Sequence, residues 1–240
     1  MSDNVNYSEN HHTRKRTWIN NHPGYNVDPE EDVLVPMFQV PIAHVKVRDW
    51  ENKKQKLLKL YQNTLSNAEN PEGQFDVTTD YHYNECNGET SYRETINSLL
   101  DEEIGVLENL LLPMDHYTEE FVEANANGEE FYFQIENVWF EKSEKYGQHL
   151  PHTHGSRGYS CVLYVDYDQE EHDPTIYLNP FYSYFFAANQ DWSCPEAKEG
   201  SLLCWPASIV HFTQVNGSDK DRLVLSWNLS IINCTGDKVE

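Results

Sequence analysis

Basic residues are scarce in this 240-residue chain: 17 Lys and Arg stand against 40 Asp and Glu, a formal charge of −23. That deficit speaks against general affinity for the nucleic-acid backbone, which needs a cationic surface to release counterions. It speaks equally against docking on anionic lipid. Cationic small substrates or basic peptides suit such a surface better, although net charge governs steering and solubility rather than chemistry. Cysteine is also thin. Cys86, Cys161, Cys194, Cys204 and Cys234 are odd in number and form no C-x-x-C, so neither a disulfide framework nor a cysteine zinc site is expected. No apolar run reaches the length of a membrane span, and the first residues hold no apolar signal core. A soluble, cytoplasmic protein is expected. The N-x-S/T triplets at Asn6, Asn216, Asn228 and Asn233 then carry no glycosylation message.

What the chain does have is material for a core, with 38% hydrophobic residues and 13% aromatics. Its 15 Tyr and 6 Trp would supply much of the buried area. Residues 1 to about 32 read as a flexible polar arm, in which Arg14-Lys15-Arg16 is a solvated charge run rather than a nucleic-acid hook. Order is expected from Val33, with a strand over Ile42–Val47. Asp49 then precedes a helix carrying Trp50, Leu57, Tyr61 and Leu65 at helical spacing. Residues 69–90 read as loop. A second amphipathic stretch bears Ile96, Leu99, Leu100, Ile104, Leu107 and Leu111; Pro113 ends or kinks it, and a short helix is expected around Tyr117–Val122.

From residue 130 the texture changes to short strands with turn-rich joins, at 131–140, 158–166, 175–178, 201–205 and 222–232. Helices followed by many short strands read as α+β with an all-β half, a sandwich or barrel. A single domain over 33–240 is expected, with helical support at about 49–126 and a β core at about 130–232.

Two segments carry chemistry. One is Gly147-Gln-His149-Leu-Pro-His152-Thr-His154-Gly155, and the other runs from Gly200 through Pro206 and His211 to Asn216. In extended chain, residues two apart point the same way, so His152 and His154 can offer both imidazoles to one point. His211 would arrive across the sheet, and Fe(II) accepts imidazole readily. In a chain with eleven histidines a single H-x-H also arises by chance; the pairing with the His211 segment favours a site. Beyond it, Arg222, Ser226 and Asn228 share one face of a strand. A guanidinium directed into a barrel is costly unless it meets an anion, and its fork suits a carboxylate. Pairing of Arg222 with Asp219 or Asp221 is the plain alternative.

This order resembles the iron(II)/2-oxoglutarate-dependent oxygenases of the double-stranded β-helix (jelly-roll, cupin-like) superfamily, particularly a short group common in marine bacteria and phages. It consists of His152-x-His154, the Tyr164-bearing strand, Thr175–Pro180, Gly200…Pro206…His211 and Arg222…Ser226-x-Asn228. The resemblance implies a hydroxylase with Fe(II) on His152, His154 and His211. It implies 2-oxoglutarate as cosubstrate, bound by Arg222 and Ser226 with Tyr164 and Asn228 beside them, and O2 as oxidant. Asn137, Trp139 and Tyr177 are candidate walls for an unidentified substrate, a small molecule or a polypeptide side chain; each could equally be barrel packing. Most members place Asp or Glu where His154 stands. The alternatives are a three-histidine site, a recruited carboxylate such as Asp166 or Asp168, or an open position, with His149 as a substitute if its loop bends.

Two rivals remain open. One is a three-histidine metal cupin, similar to thiol dioxygenases, that works without 2-oxoglutarate. The other is a non-enzymatic jelly-roll binding module with incidental histidines or zinc. Phe181–Phe186 could be a lid, a homodimer contact or a packed strand.

Overall fold

Among the described residues, the apolar spacing of the first half builds three helices, and the second half supplies all but two of the strands. The structure, a computed structural model, describes residues 40–67, 79–82, 92–112, 131–181, 191–194 and 196–233. The expected arm, residues 33–38, the helix near 117–122 and most of Phe181–Phe186 lie outside these. The described residues belong to one compact unit, Val40–Glu240.

Strand β1 (Ala43–Lys46) leads into α1 (Trp50–Asn67). Leu57 is fully buried on that helix, while Trp50 Nε1 donates to Glu199 Oε1 at 3.0 Å and Lys54 Nζ to Glu199 Oε2 at 2.7 Å. The second amphipathic stretch forms two helices, α2 (Tyr92–Leu99) and α3 (Asp101–Leu111), broken at Leu100. The apolar stripe survives the break: Ile96, Leu100, Ile104, Leu107 and Leu111 are all buried. Residues 69–90 depart from the expected loop, because Thr79–His82 form β2 and pair with β3 from Thr79↔Lys142 to His82↔Trp139. A four-residue strand with polar ends has too few side chains to show a period of two, so it reads as loop until a partner edge is known.

Eight further strands follow: β3 (Phe131–Ser143), β4 (His149–His152), β5 (Tyr159–Asp166), β6 (Ile176–Leu178), β7 (Asp191–Ser193), β8 (Ser201–Pro206), β9 (His211–Thr213) and β10 (Arg222–Asn233). They make a six-stranded sheet, β1-β8-β5-β10-β3-β2, and a four-stranded sheet, β4-β9-β6-β7. Every strand pairing among the described residues is antiparallel. Two facing antiparallel sheets with helices on the outer face of the larger one are the α+β double-stranded β-helix expected.

The large sheet is covered on both faces, which explains its near-continuous apolar strands. Alternation sorts its residues. Leu163, Val165, Leu202, Leu223, Leu225 and Trp227 belong to the cluster shared with the helices. Val162, Tyr164, Leu203, Trp205 and Val224 belong to the second cluster, with Tyr177 of the small sheet. On β10 the even positions therefore face the small sheet, which sends Arg222 and Ser226 inward. A bulge interrupts β3–β10: Trp227 pairs with Val138 but Leu229 with Ile135, so Glu136 and Asn137 oppose Asn228 alone.

Candidate metal centre

The small sheet brings the histidines together. His152 on β4 and His211 on β9 are direct cross-strand partners. His154 follows in the next turn, with its N–H donating to Ala207 O at 3.0 Å. One nitrogen from each of His152, His154 and His211 lies within 4.8 Å of the others, the one such His, Cys, Asp or Glu group among the described residues. His154 Nε2 and His211 Nε2 are 3.2 Å apart, close to the separation of about 3 Å that two adjacent ligands adopt with metal–nitrogen bonds of about 2.1 Å.

Backbone carbonyls fix the tautomers. His152 Nδ1 donates to Leu150 O at 2.7 Å and His211 Nδ1 to Ile209 O at 3.0 Å, which turns both Nε2 lone pairs toward the cluster. Burial disfavours the charged ring and brings the His211 pKa down to about 3; the backbone bond opposes it, and the neighbouring imidazoles add to it. His152 is lowered from the ordinary histidine value mainly by the same desolvation. Neutral imidazoles with aligned lone pairs are what a divalent metal requires. The donor set fits Fe(II).

Trp139 stacks on His154 at 5.3 Å between ring centres, and Trp205 meets His211 edge-on at 4.7 Å. Tyr177, the cross-strand partner of His211, is packed against Trp205 at 4.9 Å. Asn137 is exposed on the bulge and does not line the cavity. Asp166 and Asp168 border a separate surface basin with His172 and Lys220, so neither reaches the histidines. His149 lies outside the converging group; its ring stacks on His152 at 4.0 Å.

Arg222 enters the same cavity from the large sheet and is only 3% exposed. Its guanidinium carbon lies 5.3 Å from the centre of the Tyr164 ring, and Nη2 donates to Thr175 Oγ1 at 3.4 Å. Nε and Nη1 are buried without a hydrogen-bond partner, an arrangement that fits an anion. Ser226 lines the cavity beside it. Tyr164 Oη is committed to Thr175, donating to Oγ1 at 3.1 Å and accepting from the amide at 2.9 Å. Asn228 accepts from Ser160 Oγ at 3.0 Å, away from the cavity lining.

The residue that sequence reasoning missed is Glu141. It is 5% exposed. Oε2 accepts from His149 Nδ1 at 3.0 Å, and Oε1 faces Arg222 Nη1 at 3.7 Å with no hydrogen bond of its own. Burial alone would raise its pKa, but the His149 hydrogen bond and the charges of His149, Arg222 and His152 outweigh it and hold the value at about 2. The free space among the three histidines, Arg222 and Glu141 is about 20 Å³, room for roughly one water.

Two imidazoles on the small sheet and a third just past β4, facing a buried guanidinium on the large sheet, are the makings of a non-haem metal centre in a double-stranded β-helix. Residues 137–228 match the family described as "Putative 2OG-Fe(II) oxygenase", so this part of the chain, from the bulge of β3 to β10, is similar to the iron(II)/2-oxoglutarate-dependent oxygenases. The description of that family names Fe(II) and 2-oxoglutarate, and the three-histidine group fits such a metal. No curated protein matches the chain. Among solved structures it is similar to a prolyl-4-hydroxylase from Pseudomonas putida, at 14% identity and TM-score 0.46 over 78% of this chain and 91% of that one. It is also similar to AviO1 from Streptomyces viridochromogenes, at 11% and 0.48 over 78% and 88%. A third is the viral collagen prolyl hydroxylase of Paramecium Bursaria Chlorella virus-1, at 9% and 0.45 over 78% and 94%.

Proposed function

We propose that the chain is a hydroxylase whose Fe(II) is held by Nε2 of His152 and His211 and by His154, with the distal carboxylate of 2-oxoglutarate received by Arg222 and Ser226. The observation that carries this reading is the convergence of three ligating nitrogens within 4.8 Å in a cavity that also holds an arginine with two unbonded N–H groups. A neutral imidazole in place of a carboxylate leaves the metal centre more cationic, which suits a dianionic cosubstrate.

When bound, the iron and 2-oxoglutarate supply oxidative decarboxylation: O2, 2-oxoglutarate and a substrate C–H give succinate, CO2 and a C–OH. The chain's own residues prepare this chemistry. Leu150 O and Ile209 O hold the His152 and His211 rings by their Nδ1 protons. Trp139 and Trp205 fix the imidazole planes and exclude water. Arg222, backed by the Tyr164 ring and Thr175, keeps hydrogen-bonding capacity at Nε and Nη1 for an anion. Tyr164 is proposed as a support for the guanidinium through its ring, and Asn228 as a brace of the strand through Ser160. Trp139 and Tyr177 remain proposed walls of the substrate side.

The substrate is proposed to be a small molecule or a polypeptide side chain. We also place the protein in the cytoplasm, in keeping with three buried free thiols, Cys161, Cys194 and Cys204. No described helix is long and apolar enough to cross a membrane. A homodimer is proposed, and sedimentation velocity tests it.

The deciding experiment is anaerobic addition of Fe(II) and then 2-oxoglutarate to metal-free protein. A weak visible charge-transfer band is expected in the wild type and its loss in His211→Ala and Arg222→Ala. Bound metal without a band, or with turnover that ignores 2-oxoglutarate, would overturn the reading in favour of the metal cupin.

A further inference from the structure

We propose that Glu141 is an internal counter-charge to Arg222, a built-in carboxylate beside which the cosubstrate must bind and that thereby sets 2-oxoglutarate affinity. The inference rests on the reading above, in which Arg222 anchors the distal carboxylate.

The arrangement is unusual for a simple structural ion pair. Both groups are nearly fully buried, yet Glu141 Oε1 and Arg222 Nη1 stand 3.7 Å apart without a hydrogen bond, and Arg222 Nε also lacks a partner. A buried pair that serves stability closes its hydrogen bonds, because each unmet group costs free energy. Here the carboxylate is held back from the guanidinium by its other oxygen, which His149 Nδ1 engages at 3.0 Å. His149 is in turn fixed by its stack on His152 and by its amide, which donates to Thr213 Oγ1 at 2.9 Å.

Glu141 thus neutralises Arg222 across space while leaving its N–H groups open. A carboxylate that reaches Arg222 arrives beside a like charge, since Glu141 Oε1 stands 3.7 Å from Nη1. Like charges a few ångströms apart in a poorly solvated cavity repel strongly. Removing the Glu141 charge while keeping its shape should therefore tighten the cosubstrate.

Glu141→Gln does this, since its carbonyl oxygen still accepts from His149. The test titrates 2-oxoglutarate into anaerobic Fe(II) protein and reads the charge-transfer band. 2-Oxobutyrate, which has the same keto-acid end and no distal carboxylate, is titrated in parallel. Half-saturation by 2-oxoglutarate is expected to fall about tenfold or more in Glu141→Gln, with a much smaller change for 2-oxobutyrate and no change in Fe(II) stoichiometry. Glu141→Met, run beside it with thermal melts of both, keeps the outcome readable if one variant folds poorly. Unchanged or weaker 2-oxoglutarate binding in a folded variant would overturn the inference, as would equal tightening of both keto acids. Absence of any band in the wild type, or its survival in Arg222→Ala, would instead overturn the anchoring role of Arg222.

Discussion

His152 and His211 face each other as direct partners across the β4–β9 pairing, so two of the three proposed ligands are set by strand register. A register slip would turn one of them to the opposite face of the sheet. His152→Ala and His211→Ala are each expected to abolish stoichiometric Fe(II) binding at micromolar protein, whereas His149→Ala retains one iron per chain. Anaerobic metal titration with elemental analysis checks this; loss of iron in His149→Ala would place that ring in the coordination sphere.

Glu103 is expected to be a main stability determinant of the helical layer. It is 1% exposed, accepting from Lys53 Nζ at 2.7 Å and from the Arg48 amide at 2.8 Å. Glu103→Ala leaves the Arg48 amide and a largely buried Lys53 ammonium without their acceptor, and should cost about 3 kcal/mol. Urea denaturation measures it, and a change below about 1 kcal/mol would show that the pair behaves as a surface one.

Gly158 permits the entry to β5. It has φ +75°, and a Cβ there would lie 2.2 Å from Leu229 O, a backbone atom in the middle of the large sheet. Gly158→Ala must therefore move β5 or β10, and about 3 kcal/mol or more of stability should be lost. A melting temperature within a few degrees of wild type would contradict this.

Acid should destabilise the metal-free protein in a defined window. The His211 pKa is lowered from 6.5 to about 3, so protons bind the unfolded chain first as pH falls. Glu141 is likewise lowered from 4.5 to about 2. Both contributions are complete above pH 6.5. That of His211 is lost between 6.5 and about 3, and that of Glu141 between 4.5 and about 2. Thermal melts across pH 7 to 3 should be flat at the top and fall steadily below, and Glu141→Gln should flatten the most acidic part.

Much of the centre was legible because period-two geometry is local. The shared direction of His152 and His154 and the shared face of Arg222 and Ser226 follow from spacing, whereas the inward direction of that face does not, and the boundaries of β5, β8 and β10 lie within about a residue of the apolar runs. Glu141 was hidden because it sits in Glu141-Lys142-Ser143-Glu144-Lys145, which reads as a solvated strand end. Only the packing of β3 between β10 and β2 shows that this glutamate is buried. Asn137 was misread for a related reason: the bulge opposite Asn228 shifts the alternation, placing Trp139 over the histidines and Asn137 in solvent. The break at Leu100 left no signal either, since the apolar stripe passes straight through it.

The two layers of the site differ in mechanical character. Arg222 lies on β10, a twelve-residue strand hydrogen-bonded along both edges, while His152 and His211 lie on strands of four and three residues. Short strands open at less cost than long ones paired on both edges, and β4 is the outer strand of the small sheet with β9 beside it. The centre is thus a rigid anchor facing a hinged ligand set, and a metal bridging His152 on β4, His154 beyond it and His211 on β9 would act as a clasp. Amide hydrogen exchange should slow on β4 and β9 when Fe(II) is added and change little on β10.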